Sequence, residues 1–292
     1  MQIIPQLEGT AIVGRKCKVA MPLNWTLARR SDAAYSENVK AIALQFDISW
    51  ENKPANFARV RALLAKAAPE PGSLVALPEM FATGFSMNAA TLAEAPGGET
   101  EQFLGALAKE LKITIVGGAA IRGDDGKARN VALGFSPAGE RICSYAKMRP
   151  FTLGQEDQHY AAGDRLTAFQ WGECTVSPFI CYDVRFPELF RDVARYHQPQ
   201  LFVVIANFPE KRIAHWVRLL QARAIENQAY VLGVNRVGDD PYYHYNGRSV
   251  MIDPQGDLLA DAGETEGVIQ ASLDPEQLAK YRAGLPFLKD LR

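Results

Sequence analysis

The chain has 292 residues, 48% of them hydrophobic and 22% charged, and a net charge of −1 at neutral pH. This is the balance of a soluble globular protein with enough chain for a sizeable core, and it lacks the basic excess that a nucleic-acid or membrane-surface partner would require. No apolar run approaches the roughly 18 residues of a bilayer crossing.

Cysteines at 17, 143, 174 and 181 form no C-x-x-C pair, so neither a zinc site nor a disulfide framework is indicated. A reducing, cytoplasmic setting is expected.

Residues 1–38 stand apart. Up to position 30 they carry Arg15, Lys16, Lys18, Arg29 and Arg30 against the single acid Glu8, without the apolar core or small-residue cleavage site of a targeting peptide. They read as a loosely attached extension of unknown role, and one folded domain is expected over 39–292.

From Val39 onward strand-like and helix-like segments alternate. Val39–Phe46 is an apolar strand, Ala55–Ala68 has helical spacing, Leu74–Leu77 is a second strand, and Glu101–Leu111 a second helix. Ile113–Ala120 follows as a strand containing Gly117-Gly118. Asn130–Lys147 reads as a hairpin turning at Pro137-Ala138-Gly139. A second hairpin joins Leu166–Trp171 to Thr175–Ile180 through Gly172-Glu173. Helix Pro187–Tyr196 has proline in its first turn. Strand Leu201–Ala206, helix Ile213–Gln228 and strands Tyr230–Val234 and Arg248–Ile252 come next. Pro254-Gln255-Gly256 turns into Leu258–Ala260, and Val268–Leu273 precedes a short C-terminal helix. Such alternation, with interleaved hairpins, predicts an α/β layered domain.

Three ionisable residues follow apolar strands at the same topological address: Glu79 after Leu74–Pro78, Lys147 after Arg141–Ala146, and Cys181 after Thr175–Ile180. Ligands of open α/β sheets collect at the carboxyl ends of strands, so the three side chains could converge. Together they suit acyl transfer: a thiol nucleophile, a carboxylate to take its proton, and a cation for the developing oxyanion. The turn ahead of the Pro187 helix would lower the thiol pKa through the helix dipole. Each residue also has an ordinary explanation, as an inert buried thiol, a loop carboxylate or a solvated strand end.

The local motifs favour the chemical reading. Leu77-Pro78-Glu79-Met80-Phe81, Tyr145-Ala146-Lys147 and Cys181-Tyr182-Asp183-Val184-Arg185-Phe186-Pro187-Glu188 resemble the three signatures of the nitrilase, or carbon–nitrogen hydrolase, superfamily, in its order and at similar separations. The resemblance covers about 39–292. It continues through Ala206-Asn207-Phe208-Pro209, Ala222-Arg223-Ala224-Ile225-Glu226-Asn227-Gln228 and Pro286-Phe287-Leu288-Lys289-Asp290, most similar to the omega-amidase branch.

The resemblance implies a four-layer α-β-β-α sandwich, commonly a homodimer, with a Cys-Glu-Lys triad carried onto Cys181, Glu79 and Lys147. It also implies a second glutamate after the lysine, matched by Glu156, although its polar neighbours Gln155, Asp157 and Gln158 would also suit a solvated loop carboxylate. Two positions depart from the pattern: Met148-Arg149-Pro150 lacks a histidine often found after the lysine, and Phe208 stands where tryptophan is frequent.

The implied activity is hydrolysis of the terminal amide of a short dicarboxylate monoamide, such as 2-oxoglutaramate or 2-oxosuccinamate. Alternatives are a nitrilase, a carbamoylase, a deaminated-glutathione amidase, or a non-catalytic binding protein on the same fold. A guanidinium suits the substrate carboxylate. Arg185 is the first candidate, unless paired with Asp183 or Glu188, and Arg149, Arg212 and Arg236 follow it. Phe85, Tyr182 and Phe208 are candidate pocket walls, with Asn207 beside them. Histidines 159, 197, 215 and 244 have no metal-ligand spacing, and no nucleotide fingerprint appears, so neither metal nor cofactor is expected.

Overall fold

The computed structural model describes residues 18–19 and 39–291. Within the expected extension, only Lys18–Val19 is described, a two-residue strand running parallel to Arg165–Leu166. The rest of 1–38 lies outside the described residues.

Two six-stranded sheets pack face to face. In the first, spatial order is Gly267–Leu273, Val39–Gln45, Leu74–Ala76, Thr114–Arg122, Ala128–Phe135 and Arg141–Ala146. In the second it is Leu258–Asp261, Val250–Ile252, Tyr230–Val234, Leu201–Ile205, Cys174–Ile180 and Phe169–Trp171. Each sheet has three adjacent parallel strands at its centre.

The two-residue period of a strand builds the layers. Ala41, Ala43, Leu74 and Ala76 join the core shared with the second sheet, whereas Ile42, Leu44, Val75 and Leu77 face the opposite way. Small residues on the inner face let the sheets approach closely, and larger ones outside meet the helices. Helix Lys53–Ala67 buries Val60, Leu63 and Leu64, and helix Glu99–Leu111 buries Leu104, Leu107 and Ala108, at the three- and four-residue spacings of one helical face. Helix Pro187–His197 contributes Leu189, Phe190 and Val193, and helix Ile213–Asn227 contributes Trp216, Leu220 and Ala224, to cover the second sheet. The result is the expected α-β-β-α sandwich.

The differences from the sequence reading are local. Helix Lys53–Ala67 starts two residues early because the Asn52 side chain caps it by accepting from the Ala55 N–H, with proline in the first turn. The expected strand Leu166–Trp171 is split into Arg165–Leu166 and Phe169–Trp171. A small antiparallel pair, Val237–Asp239 with His244–Asn246, occupies a segment to which the sequence reading gave no element. Its Gly-Asp-Asp-Pro-Tyr-Tyr stretch has too few apolar residues to signal a strand. This pair carries two tyrosines to the site described next.

Candidate active site

Loops leaving the carboxyl ends of strands from both sheets meet at one end of the sandwich. From the first sheet, Glu79 follows Leu74–Ala76 and Lys147 follows Arg141–Ala146; from the second, Cys181 and Asn207 follow the neighbouring parallel strands Cys174–Ile180 and Leu201–Ile205.

Glu79, Lys147 and Glu156 are 0%, 2% and 0% exposed, and the lysine pairs with both carboxylates. The Lys147 ammonium donates to Glu79 Oε1 at 2.9 Å and to both oxygens of Glu156 at 3.1 and 2.8 Å. Asn130, which the sequence reading left unassigned, ties the two carboxylates together: its Nδ2 donates to Glu79 Oε1 at 2.7 Å and to Glu156 Oε1 at 2.9 Å. Glu156 is therefore not a solvated loop carboxylate. It also accepts from the Phe151 N–H at 2.6 Å, which fixes the loop after Lys147.

Two carboxylates around one ammonium decide the lysine's charge state. Burial alone would lower its pKa, but Glu156 and Glu79 outweigh that and raise it, so Lys147 stays protonated.

Asn207 couples this cluster to the thiol. Its backbone N–H donates to Glu79 Oε2 at 2.8 Å, its Nδ2 to the Glu79 carbonyl at 2.7 Å, and its own carbonyl accepts from Cys181 Sγ at 3.7 Å. Asn207 thus borders the pocket with its amide nitrogen already engaged by Glu79, which makes it a scaffold more than a free substrate contact.

The expected depression of the Cys181 pKa is reversed. Burial, chiefly, and the Glu79 carboxylate push the thiol well above its ordinary value, and Lys147 offsets them only in part. The dipole argument fails on magnitude: Cys181 opens a five-residue 3₁₀ turn, Cys181–Arg185, and the longer helix begins only at Pro187. A helix end contributes about 0.3–1 kcal/mol, less than desolvation beside a carboxylate. Cys181 rests as a thiol.

Backbone geometry is unusual at the same place. Cys181 and Met80 have φ of 45°, and Gln155, before Glu156, has φ of 59°. Left-handed backbone at a non-glycine residue costs on the order of 1–2 kcal/mol and gathers where function demands it. Glycine is required beside two of the catalytic candidates. A Cβ on Gly118 would lie 2.4 Å from the Met80 nitrogen and 2.7 Å from Glu79 Cα, and one on Gly163 would lie 2.2 Å from the Ala146 carbonyl oxygen.

Asp183 is wholly buried and joins the loop of the thiol to that of the lysine. It accepts from the Tyr145 hydroxyl at 2.8 Å, the Ile180 N–H at 3.1 Å and the Arg149 N–H at 2.9 Å. Desolvation pushes its carboxyl up to about 7 against these favourable contacts.

Cys181 and Lys147 open onto a pocket also lined by Phe85, Phe151, Tyr182, Arg185, Asn207, Phe208, Arg212, Tyr243 and Tyr245. The side chain of Asn235 clamps the backbone of Phe208 from both sides, accepting from its N–H at 2.8 Å and donating to its carbonyl at 3.0 Å.

Arg185 pairs with neither Asp183 nor Glu188. It lies over the rings of Phe208 and Tyr182, at 5.4 and 5.9 Å, with the His215 ring nitrogen 3.5 Å away. Of the other candidate arginines, Arg149 pairs with Glu188, while Arg236 is fully buried behind Tyr245 and bonded to Asp47. Among the described residues, only the arginines Arg185 and Arg212 border the pocket.

Sequence reasoning also missed Phe151 and Tyr243, which sit in loops, and Tyr245, which lies in the three-residue strand His244–Asn246, too short to show a period. Asn130 did leave a signal, as the one uncharged polar residue at the head of the apolar run Val131–Phe135. Among the described residues, no group of three or more His, Cys, Asp or Glu side chains could hold a metal ion.

The profile of the Carbon-nitrogen hydrolase family matches residues 40–283, and the chain belongs to that family. It is similar to the omega-amidase YafV of Yersinia enterocolitica, with 38% identity over 86% of this chain and 96% of that one. It is also similar to the 2-oxoglutaramate amidase of Bacillus subtilis, with 34% identity over 85% and 96% respectively. Among solved structures, XC1258 from Xanthomonas campestris, a CN-hydrolase superfamily protein with an arsenic adduct in its active site, superposes with a TM-score of 0.82 at 34% identity, covering 87% of this chain and 97% of that one. The protein is an amide-hydrolysing enzyme of the nitrilase superfamily.

Proposed function

We propose that the enzyme hydrolyses the terminal amide of a short dicarboxylate monoamide, of the 2-oxoglutaramate or 2-oxosuccinamate kind, through a thioester on Cys181. The observation that carries this reading is the sealed Glu79–Lys147–Glu156 cluster, joined through Asn207 to a thiol that faces a pocket with two arginines.

Because Cys181 rests protonated, Glu79 takes its proton as sulfur attacks the amide carbon, instead of a standing thiolate doing so. Three carboxylate oxygens surround the Lys147 ammonium; with one N–H on Glu79 and one shared between the two Glu156 oxygens, the third would serve the oxyanion, assisted by the Tyr182 backbone N–H. Glu79 returns its proton to the departing ammonia and then activates water to release the acid. Glu156 and Asn130 hold Lys147 and Glu79 in register.

The charge layout orients the substrate. Its amide end goes inward to the carboxylate–ammonium cluster, and its carboxylate stays at the mouth on Arg185, between walls formed by Phe85, Tyr182 and Phe208. A nucleophilic thiol needs a reducing compartment, which supports a cytoplasmic location. Tyr196 and Ile225, 60% and 46% exposed on helices Pro187–His197 and Ile213–Asn227, support a homodimer formed through those helices.

The test is ammonia release from 2-oxoglutaramate, a nitrile, an N-carbamoyl amino acid and deaminated glutathione, with mass spectrometry of the quenched enzyme. The expected result is preference for 2-oxoglutaramate and an acyl adduct on Cys181. Turnover of the nitrile alone, or an adduct elsewhere, would refute it.

A further inference from the structure

Around the pocket, rings and guanidiniums form one continuous belt. Phe208 lies 5.4 Å from Arg185, Arg185 5.9 Å from Tyr182, and the Tyr182 and Phe151 rings are 5.1 Å apart; Phe151 lies 5.3 Å from Arg212, and Arg212 5.8 Å from Tyr243. The second arginine at the pocket, Arg212, is not yet matched to any atom of the substrate.

A guanidinium held over aromatic faces keeps its N–H edge free, because the donors lie in its plane. Arg149, Arg236 and Arg248 each have a carboxylate partner, yet Arg185 and Arg212 have none among the described residues. Arg212 makes no side-chain hydrogen bond with them either, although the rings hold it at the pocket.

One guanidinium fork satisfies one carboxylate. The head of a 2-oxo acid presents a third oxygen, the ketone, and that acceptor calls for a second donor. We propose that Arg212 reads the 2-oxo group while Arg185 takes the carboxylate, so that the substrate's 2-oxo acid head lies between the two guanidiniums. Arg212 then selects 2-oxo acid amides over plain monoamides of equal length. The assignment rests on the amidase reading above and adds the group that discriminates within it.

The experiment compares wild type, Arg212→Gln and Arg212→Lys on three amides: 2-oxoglutaramate, the monoamide of glutaric acid, and neutral butyramide. Arg212→Gln is expected to raise KM for 2-oxoglutaramate about 10- to 100-fold with little change in kcat, because a binding group and no reacting group is lost. KM for the glutaric monoamide should move by less than about threefold, and that for butyramide should not move, as neither offers the ketone. Arg212→Lys, which restores charge without the fork, should recover part of the loss.

Equal KM increases for both acids, equal loss on all three amides, or no change on any would overturn the assignment while leaving the amidase reading intact. A wild-type enzyme that preferred butyramide to both acids would refute that reading, and the role of Arg212 with it.

Discussion

Cys174 and Cys181 sit at the two ends of one strand, the first opening it and the second following it. Both thiols are pushed up by burial, Cys174 to about 11. Cys174, 1% exposed, borders the larger cleft, about 790 Å³ in volume, at the amino end of the strand. Its neighbouring acid, Glu173, only adds to the upward push. Cys181, at the carboxyl end, borders a cavity of about 20 Å³, bonds the Asn207 carbonyl and feels the charges of the Glu79 carboxylate and the Lys147 ammonium. Neither burial nor cavity size distinguishes a reactive thiol here. The distinction is made by the end of the strand, where loops of the facing sheet bring a carboxylate and an ammonium towards the thiol.

Substitution tests the contrast most severely. Cys181→Ala should lower kcat on the order of 10⁵-fold, read by ammonia release. Its melting temperature should stay within about 2 °C of wild type, since the site is strained and half-buried. Cys174→Ala should leave kcat/KM within about twofold and cost about 1–2 kcal/mol in urea unfolding, as a truncated core residue does. The reverse pattern would break the comparison.

A smaller effect is expected at the base. Glu79→Gln keeps the shape but cannot take the thiol proton, and should reduce kcat about 10³-fold.

Chemical labelling sharpens the same point. Iodoacetamide should modify Cys181 of the native enzyme well before Cys174, by peptide mass mapping. The rate at Cys181 should keep rising beyond the ordinary thiol pKa of about 8.5. A plateau below neutral pH would mean a standing thiolate.

The gentlest test concerns Asp183, whose charged or donor neighbours are Tyr145, Lys147 and the Ile180 and Arg149 N–H groups. Its native carboxyl lies near 7, against about 3.9 when unfolded, so the folded protein holds this proton more tightly. The resulting stabilisation is complete below about pH 4 and fades as pH rises towards 7, at most about 4 kcal/mol in all. Comparing urea unfolding at pH 5 and pH 8 should therefore show a smaller pH-dependent loss in Asp183→Asn than in wild type.

Much of the fold was legible because its cause is local. The alternation of Ala41 and Ala43 with Ile42 and Leu44, and the helical spacing of Val60, Leu63 and Leu64, are written in the chain. Glu79, Lys147, Glu156 and Cys181 were legible as motif residues at strand ends, and the structure brings Glu79, Lys147 and Glu156 into contact with one another, with Cys181 beside them through Asn207. Asn130 was overlooked because a strand position does not reveal that two carboxylates lie opposite it. Tyr243 and Tyr245 were overlooked because their hairpin is too short and polar to have a period.

Local patterning alone determined the α/β layering, the triad candidates and the kinship with carbon–nitrogen hydrolases, since strand and helix periods and short motifs need only neighbouring residues. Tertiary structure alone decided the protonation of the thiol, the fate of each arginine and the bridging place of Asn130. Those properties depend on burial and on groups brought together from as far as 189 residues apart in sequence, and electrostatics acts through space, not along the chain.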